Sequence, residues 1–221
     1  MKPLSLSRPL VIMMLGVPGA GKSFFARQFS DTFGAPVVSI DRLRYELFAE
    51  SEYSKDEEVI VDRVATLQIE ELVKTSKTFI VDGVIGTRVN RANIEKMAKQ
   101  NGYGTLIIWV QTDPQTTKVR SLKRNPKRPF NEYNVSLSPE VYEKLARRVS
   151  PPLPREPYIV ISGKHTYATQ AKIVLKKLVS PHNESTDVAH EEQLRTDTRH
   201  AIPPTRRSVN VQYSIYGKHS Y

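Results

Sequence analysis

Gly16-Val17-Pro18-Gly19-Ala20-Gly21-Lys22-Ser23 decides the fold. It is a complete G-x-x-x-x-G-K-[ST] pattern, placed between the apolar run Leu10–Leu15 and the helix-prone stretch Ser23–Phe33. Strand, glycine-rich turn and helix in that order make a phosphate-binding loop. The glycines let the backbone curl until successive N–H groups point inward. The lysine then reaches the β- and γ-phosphates, and the Ser23 hydroxyl can ligate Mg²⁺. The positive end of the following helix dipole converges on the same spot. The residues expected around the nucleotide are Gly16, Pro18, Gly19, Ala20, Gly21, Lys22, Ser23 and Phe24, with ATP and Mg²⁺ as the ligands.

Outward from the loop, strands alternate with helices. Strands are predicted at Leu10–Leu15, Pro36–Ile40, Thr78–Val81, Thr105–Val110 and Tyr158–Ile161. Helices are predicted over Lys22–Phe33, Asp41 to about Ala49, Lys55–Lys74, Asn90–Gln100, after Asp113-Pro114 to about Lys123, after Ser138-Pro139, and Tyr167–Leu178. Asp41 is expected to cap its helix, and Ile60, Val64 and Leu67 to share a face of theirs, with Val61, Ala65 and Leu72 beside it. Four prolines in Ser150–Pro157 forbid regular structure. The alternation predicts an α/β fold, a doubly wound five-stranded parallel sheet with helices on both faces and ligands at its carboxyl edge.

Residues 1–180 are expected to form this domain. Residues 181–221 read as a flexible, largely disordered tail whose histidines match no metal spacing. Within 209–216, Val209, Val211, Tyr213 and Ile215 alternate, which marks a candidate docking segment for a protein partner or for the domain itself.

The chain carries 33 basic and 23 acidic side chains, a net charge of +10, and no cysteine. Disulfides, thiolate metal sites and a cysteine nucleophile are excluded. The tail balances five basic side chains against five acidic ones, so the excess lies in residues 1–180. Its densest part is Lys118, Arg120, Lys123, Arg124, Lys127 and Arg128, which suits a polyphosphate, a nucleic acid or merely a solvated helix face. No stretch approaches a membrane span or a signal peptide, and a cytoplasmic protein is expected.

Several side chains are candidates for chemistry. Asp41 follows the second strand in Ser39-Ile40-Asp41-Arg42-Leu43-Arg44, where a carboxylate can take the proton of an attacking hydroxyl. Arg44, nearly one turn on, is placed to hold an anionic group of the substrate or the transferring phosphoryl. Asp82 closes the third strand, where it can bind substrate or join Ser23 at the metal. The next residue is Gly83, not a second carboxylate, which favours transfer to an acceptor over hydrolysis. Thr87, Arg88 and Arg91 are candidates for the acceptor site. Arg124 and Arg128 bracket a turn that can close over the transferring group.

GVPGAGKS, S-I-D-R-L-R, I-V-D-G with T-R-V-N-R, and K-R-N-P-K-R, in this order, resemble the small P-loop kinases around phage polynucleotide 5′-kinase. That group includes zeta-toxin-like and chloramphenicol-phosphotransferase-like, AAA-type small ATP-binding kinases, and the resemblance spans roughly residues 10–178. It implies Lys22 and Ser23 on phosphate and Mg²⁺, Asp41 as catalytic base, Arg44 on the substrate side, Arg124 and Arg128 as catalytic lid arginines, and Asp82 in the substrate site. It also implies adenine against the Gly163-Lys164 loop. No D-x-D-x-T segment is present, so the phosphatase half of the phage enzyme is missing. The expected activity is transfer of the ATP γ-phosphate to a hydroxyl, of a nucleic-acid 5′ end or of a small metabolite. The alternative is an ATP-binding switch or interaction protein with little turnover. A guanine-reading Asn-Lys-x-Asp is absent, which points to adenine.

Overall fold

The computed structural model describes residues 8–179 except 49, 84–85, 126–132 and 134. The tail, with its candidate docking segment 209–216, and Arg128 lie outside the described residues.

Five strands, β1 (Leu10–Leu15), β2 (Val37–Ser39), β3 (Phe79–Asp82), β4 (Gly104–Gln111) and β5 (Tyr158–Ser162), form one sheet in the order β2-β3-β1-β4-β5. Every pairing is parallel. β1 sits at the centre, and Val11–Leu15 is buried throughout, which is why it reads as continuously apolar. Side-chain alternation then divides the core. Val11, Met13 and Leu15 face one layer, while Ile12 and Met14 face the other with Phe25 and Phe29.

Helices α1 (Lys22–Phe33), α2 (Ile40–Leu47), α3 (Lys55–Val73), α4 (Arg88–Gln100), α5 (Pro114–Leu122), α6 (Pro139–Arg147) and α7 (Tyr167–Val179) cover the two faces. Most open as their sequences dictate. Ser54, Thr87, Asp113 and Ser138 each accept the N–H three residues on, and Pro114 and Pro139 occupy first turns. Among the described residues no helix is long and apolar enough to cross a membrane.

Two local expectations are corrected. The cap of α2 is Ser39, whose hydroxyl accepts the Arg42 N–H, so β2 ends one residue early and Asp41 lies inside the first turn. On α3 the buried stripe is Val61, Ala65, Ile69 and Val73, whereas Ile60 and Leu67 are nearly half exposed. Spacing alone did not separate the two neighbouring stripes, because both are apolar.

Candidate active site

The loop after β1 is bent by glycine and braced from three sides. Gly16, Gly19 and Gly21 have φ of +146°, +78° and +106°, a region that side-chain-bearing residues avoid. A Cβ on Gly16 would lie 2.5 Å from the Val110 carbonyl oxygen, and one on Gly19 would overlap the Thr117 carbonyl. Thr112 Oγ1 donates to the Ala20 carbonyl at 3.0 Å, and a Cβ on Gly163 would overlap that same oxygen. The ends of β4 and β5 and helix α5 thus set the loop's curvature. Inside the curl, Lys22 Nζ donates to the Val17 carbonyl at 3.1 Å. Phe24 is half exposed, so what it can offer an anion is its backbone in the first turn of α1.

Sheet register brings the acidic groups to this loop. Asp82 pairs with Met14 of β1 on one side and with Ser39 of β2 on the other. It therefore sits between the strand that leads into the glycine loop and the strand that leads into Asp41. Asp82 is buried and lines one cavity with Lys22 and Ser23. Burial pushes the Asp82 carboxyl above its ordinary pKa, opposed by the Lys22 charge and the Ser23 hydroxyl. Burial likewise lowers the Lys22 pKa, with Asp82 and then Asp41 pulling it back. Arg124 Nη1 stands 3.8 Å from Asp41 Oδ2 and donates to the Val135 carbonyl at 3.3 Å. Lys22, Ser23, Asp41, Tyr53, Asp82 and Arg124 line one cavity of about 140 Å³.

The Ser23 hydroxyl and the Asp82 carboxylate are hard oxygen donors lining one cavity, which fits Mg²⁺. Among the described residues no group of three or more His, Asp or Glu forms a metal cage. Two protein oxygens, completed by phosphate and water, are the usual Mg²⁺ arrangement at a phosphate site. A second hollow of about 630 Å³ lies across the loop, lined by Val17, Trp109, Thr112, Pro151, Val160 and Lys164 among others. Arg120 Nη1 donates to the Gly163 carbonyl at 3.2 Å, so α5 also holds the loop at its rim.

A family model described as "AAA domain" matches residues 11–152, from β1 to the proline-rich segment, and so contains every element just described up to α6. The chain belongs to the AAA domain family. No functionally curated protein matches its sequence. Solved structures share the fold at low identity. The APS kinase CysC of Mycobacterium tuberculosis, solved with AMPPNP and APS, is 19% identical with a TM-score of 0.57, over 78% of this chain and 99% of that one. A sugar kinase from Janibacter sp. HTCC2649 is 14% identical, with a TM-score of 0.55 over 76% and 92%. Kti12 of Chaetomium thermophilum, solved with ADP-AlF3, is 17% identical, with a TM-score of 0.56 over 77% and 100%. What this AAA domain shares with them is the P-loop kinase fold.

Two arginines expected beside the acceptor are engaged elsewhere. Arg91 is 1% exposed and is consumed by the proline-rich segment. It pairs with Glu156 through Nε at 2.7 Å and Nη2 at 3.0 Å, and donates to the carbonyls of Ser150 and Pro151 at 3.0 and 3.2 Å. Arg44 is also buried; its Nη1 donates to Glu57 Oε2 at 3.2 Å, and its guanidinium lies 4.7 Å above the centre of the Tyr53 ring. Both readings are corrected to struts. A signal was present in the sequence, since Arg91 falls in register with buried Ile94 and Ala98, and Arg44 with buried Ile40 and Leu43. Thr87 is the cap of α4, accepting the Asn90 N–H at 3.2 Å. Tyr53 is a lining residue that sequence reading missed, as are Leu137, Leu145 and Val149, and no local pattern in Glu50–Ser54 announces it.

Proposed function

We propose that the protein is a kinase that moves the γ-phosphate of ATP to an acceptor hydroxyl. The observation that carries this reading is the meeting of Asp41 and Arg124, 3.8 Å apart, in the cavity that also holds Lys22, Ser23 and Asp82. Asp41 takes the proton of the acceptor hydroxyl. The acceptor oxygen then forms its bond to the γ-phosphorus as the bond from that phosphorus to the ADP oxygen breaks. Lys22 and Arg124 neutralise the charge spread over the equatorial oxygens, a role that the resemblance extends to Arg128. Mg²⁺, held by Ser23 with Asp82 and the phosphates, supplies further positive charge when bound. The adenine end is expected against the Gly163-Lys164 loop, beside the larger hollow.

Residues 1–180 are the catalytic unit in this reading, and 181–221 an appended tail. The ordered motifs favour the polynucleotide-kinase and zeta-toxin-like branch, which makes a nucleic-acid 5′-hydroxyl the first acceptor to try and small metabolites the second. Against a surface that binds nucleic acid with the whole basic run, Lys118 is paired with Glu143 at 2.9 Å and Arg120 with the Gly163 carbonyl.

The test is transfer of γ-labelled phosphate to 5′-hydroxyl RNA and DNA oligonucleotides. Lys22→Ala should lose transfer through weakened nucleotide binding. Asp41→Asn should lose roughly 10²–10⁴-fold in rate with ATP affinity kept, the usual contribution of a general base. ATP binding without labelled oligonucleotide would redirect the search to metabolites. Indifference of all turnover to Asp41→Asn would leave a nucleotide-dependent switch.

A further inference from the structure

Tyr53 is held in a backbone conformation that an aromatic residue avoids. Its φ is +54°, and among the described non-glycine residues only Ser76 shares this region. Such strain persists only where the surroundings over-determine it, and it concentrates at functional sites. Here the surroundings are explicit. The Tyr53 N–H donates to Glu57 Oε2 at 2.9 Å, and its carbonyl accepts Lys144 Nζ at 2.9 Å. Glu57 also accepts the Glu52 N–H at 2.9 Å, the Ser51 hydroxyl at 2.7 Å and Arg44 Nη1 at 3.2 Å. One buried carboxylate therefore gathers four donors, three from Ser51, Glu52 and Tyr53 and the fourth from Arg44, which also stacks on the Tyr53 ring.

The product of this clamp is a rigid aromatic wall in the cavity of Asp41 and Arg124. A core aromatic would need no such device, since packing alone would hold it. The phenol lies close enough to Asp41 and Arg124 to feel their charges, and burial raises its pKa, so it stays a neutral hydroxyl at physiological pH. Arg44 lies over one face of the ring, and Tyr53 lines the cavity together with Asp41.

We propose that Tyr53 is the acceptor-positioning residue, a platform on which the terminal nucleobase of a 5′-hydroxyl strand stacks while its hydroxyl reaches Asp41. This rests on the kinase reading above and names the acceptor chemistry within it. Stacking on an aromatic ring is tolerant of base identity, so the platform selects for a base without selecting which one.

The experiment measures binding, by calorimetry in the presence of Mg²⁺ and AMPPNP, of a 5′-hydroxyl thymidine pentanucleotide and of the same strand with an abasic first position. The two carry equal charge. The full chain is used, as wild type, Tyr53→Phe, Tyr53→Ala and Tyr53→Gly. Glycine accepts the left-handed backbone, so this variant loses the ring without the strain. Expected for Tyr53→Ala and Tyr53→Gly is a roughly tenfold to hundredfold loss of pentanucleotide affinity, with AMPPNP affinity unchanged and Tyr53→Phe close to wild type. The abasic strand should bind wild type about as weakly, with no further loss in the variants. Equal binding of the two strands by wild type would overturn the proposal, as would full affinity in Tyr53→Gly or failure of the pentanucleotide to bind the AMPPNP complex. Failure to bind AMPPNP at all would instead remove the kinase reading beneath it.

Discussion

Replacing Arg91 by alanine discriminates between a strut and a substrate ligand. The wild-type guanidinium has no exposed side-chain surface, and Glu156 opposite it is only one-tenth exposed. Removing one partner leaves a buried carboxylate without its cation, which typically costs about 3–5 kcal/mol. The carbonyls of Ser150 and Pro151 lose their donor as well. For a domain of this size each kcal/mol moves the melting temperature by about 2–4 °C, so Arg91→Ala should melt roughly 6–20 °C lower. Replacing both partners, Arg91→Met with Glu156→Leu, removes the charge and its counter-charge together and should recover most of the loss. Thermal melts of the single and double variants decide it. A loss below about 1 kcal/mol in the single variant, or no recovery in the double variant, would refute the strut. So would a stable Arg91→Ala protein that has lost only its response to acceptor.

Gly163→Ala should weaken ATP binding at least tenfold with the fold intact, since its Cβ would displace the Ala20 carbonyl and uncurl the phosphate loop; fluorescent-nucleotide titration checks it, and unchanged affinity would show that the loop adapts. Thr112→Val should act in the same direction by about 1 kcal/mol, the worth of one hydrogen bond to the same oxygen. Stability should also respond to acid in a defined direction. Burial favours the protonated form of Glu57 and Glu156, but backbone N–H groups, Ser51 and the two arginines outweigh it and hold both pKa values low. The folded state then binds fewer protons than the unfolded one, so this stabilisation is full above about pH 4.3 and is lost as pH falls through the folded values. Melts from pH 7 to pH 3 should be nearly flat above pH 5 and steepen below it, less steeply in Glu57→Gln and Glu156→Gln; identical slopes would refute the assignment.

What was legible in the sequence follows from how local each signal is. The strand-loop-helix at Leu10–Phe33 is written in contiguous residues, because strand burial, left-handed glycines and helix start all act within one short segment. The end of β3 was equally readable, and Asp82 at that end needs only the parallel register to meet Ser23. That Arg44 and Arg91 are struts was harder to read, because charge alone does not say which carboxylate claims them. Glu57 lies 13 residues from Arg44 and Glu156 lies 65 from Arg91. In both cases the apolar register of the helix already argued for burial, and a buried arginine requires a partner that the chain must bring from elsewhere.

The same logic explains why Tyr53 escaped notice. Its left-handed backbone has no local cause, neither glycine nor Asn-Gly; it accompanies the donors that Glu57, in the first turn of α3, collects from the segment before it, and the bond from Lys144 to the Tyr53 carbonyl. Arg44 links that turn to α2, the helix that begins beside Asp41. Removing the Glu57 carboxylate therefore does more than break an ion pair. It releases Arg44, lets the backbone at Tyr53 relax toward negative φ, and withdraws the ring from the cavity. Glu57→Gln keeps the shape but only one acceptor oxygen for four donors, so it should weaken acceptor binding in proportion to its effect on Tyr53 while leaving Lys22, Ser23 and the nucleotide untouched. A Glu57→Gln protein with wild-type acceptor binding would mean that the turn is held by Arg44 stacking and Lys144 alone.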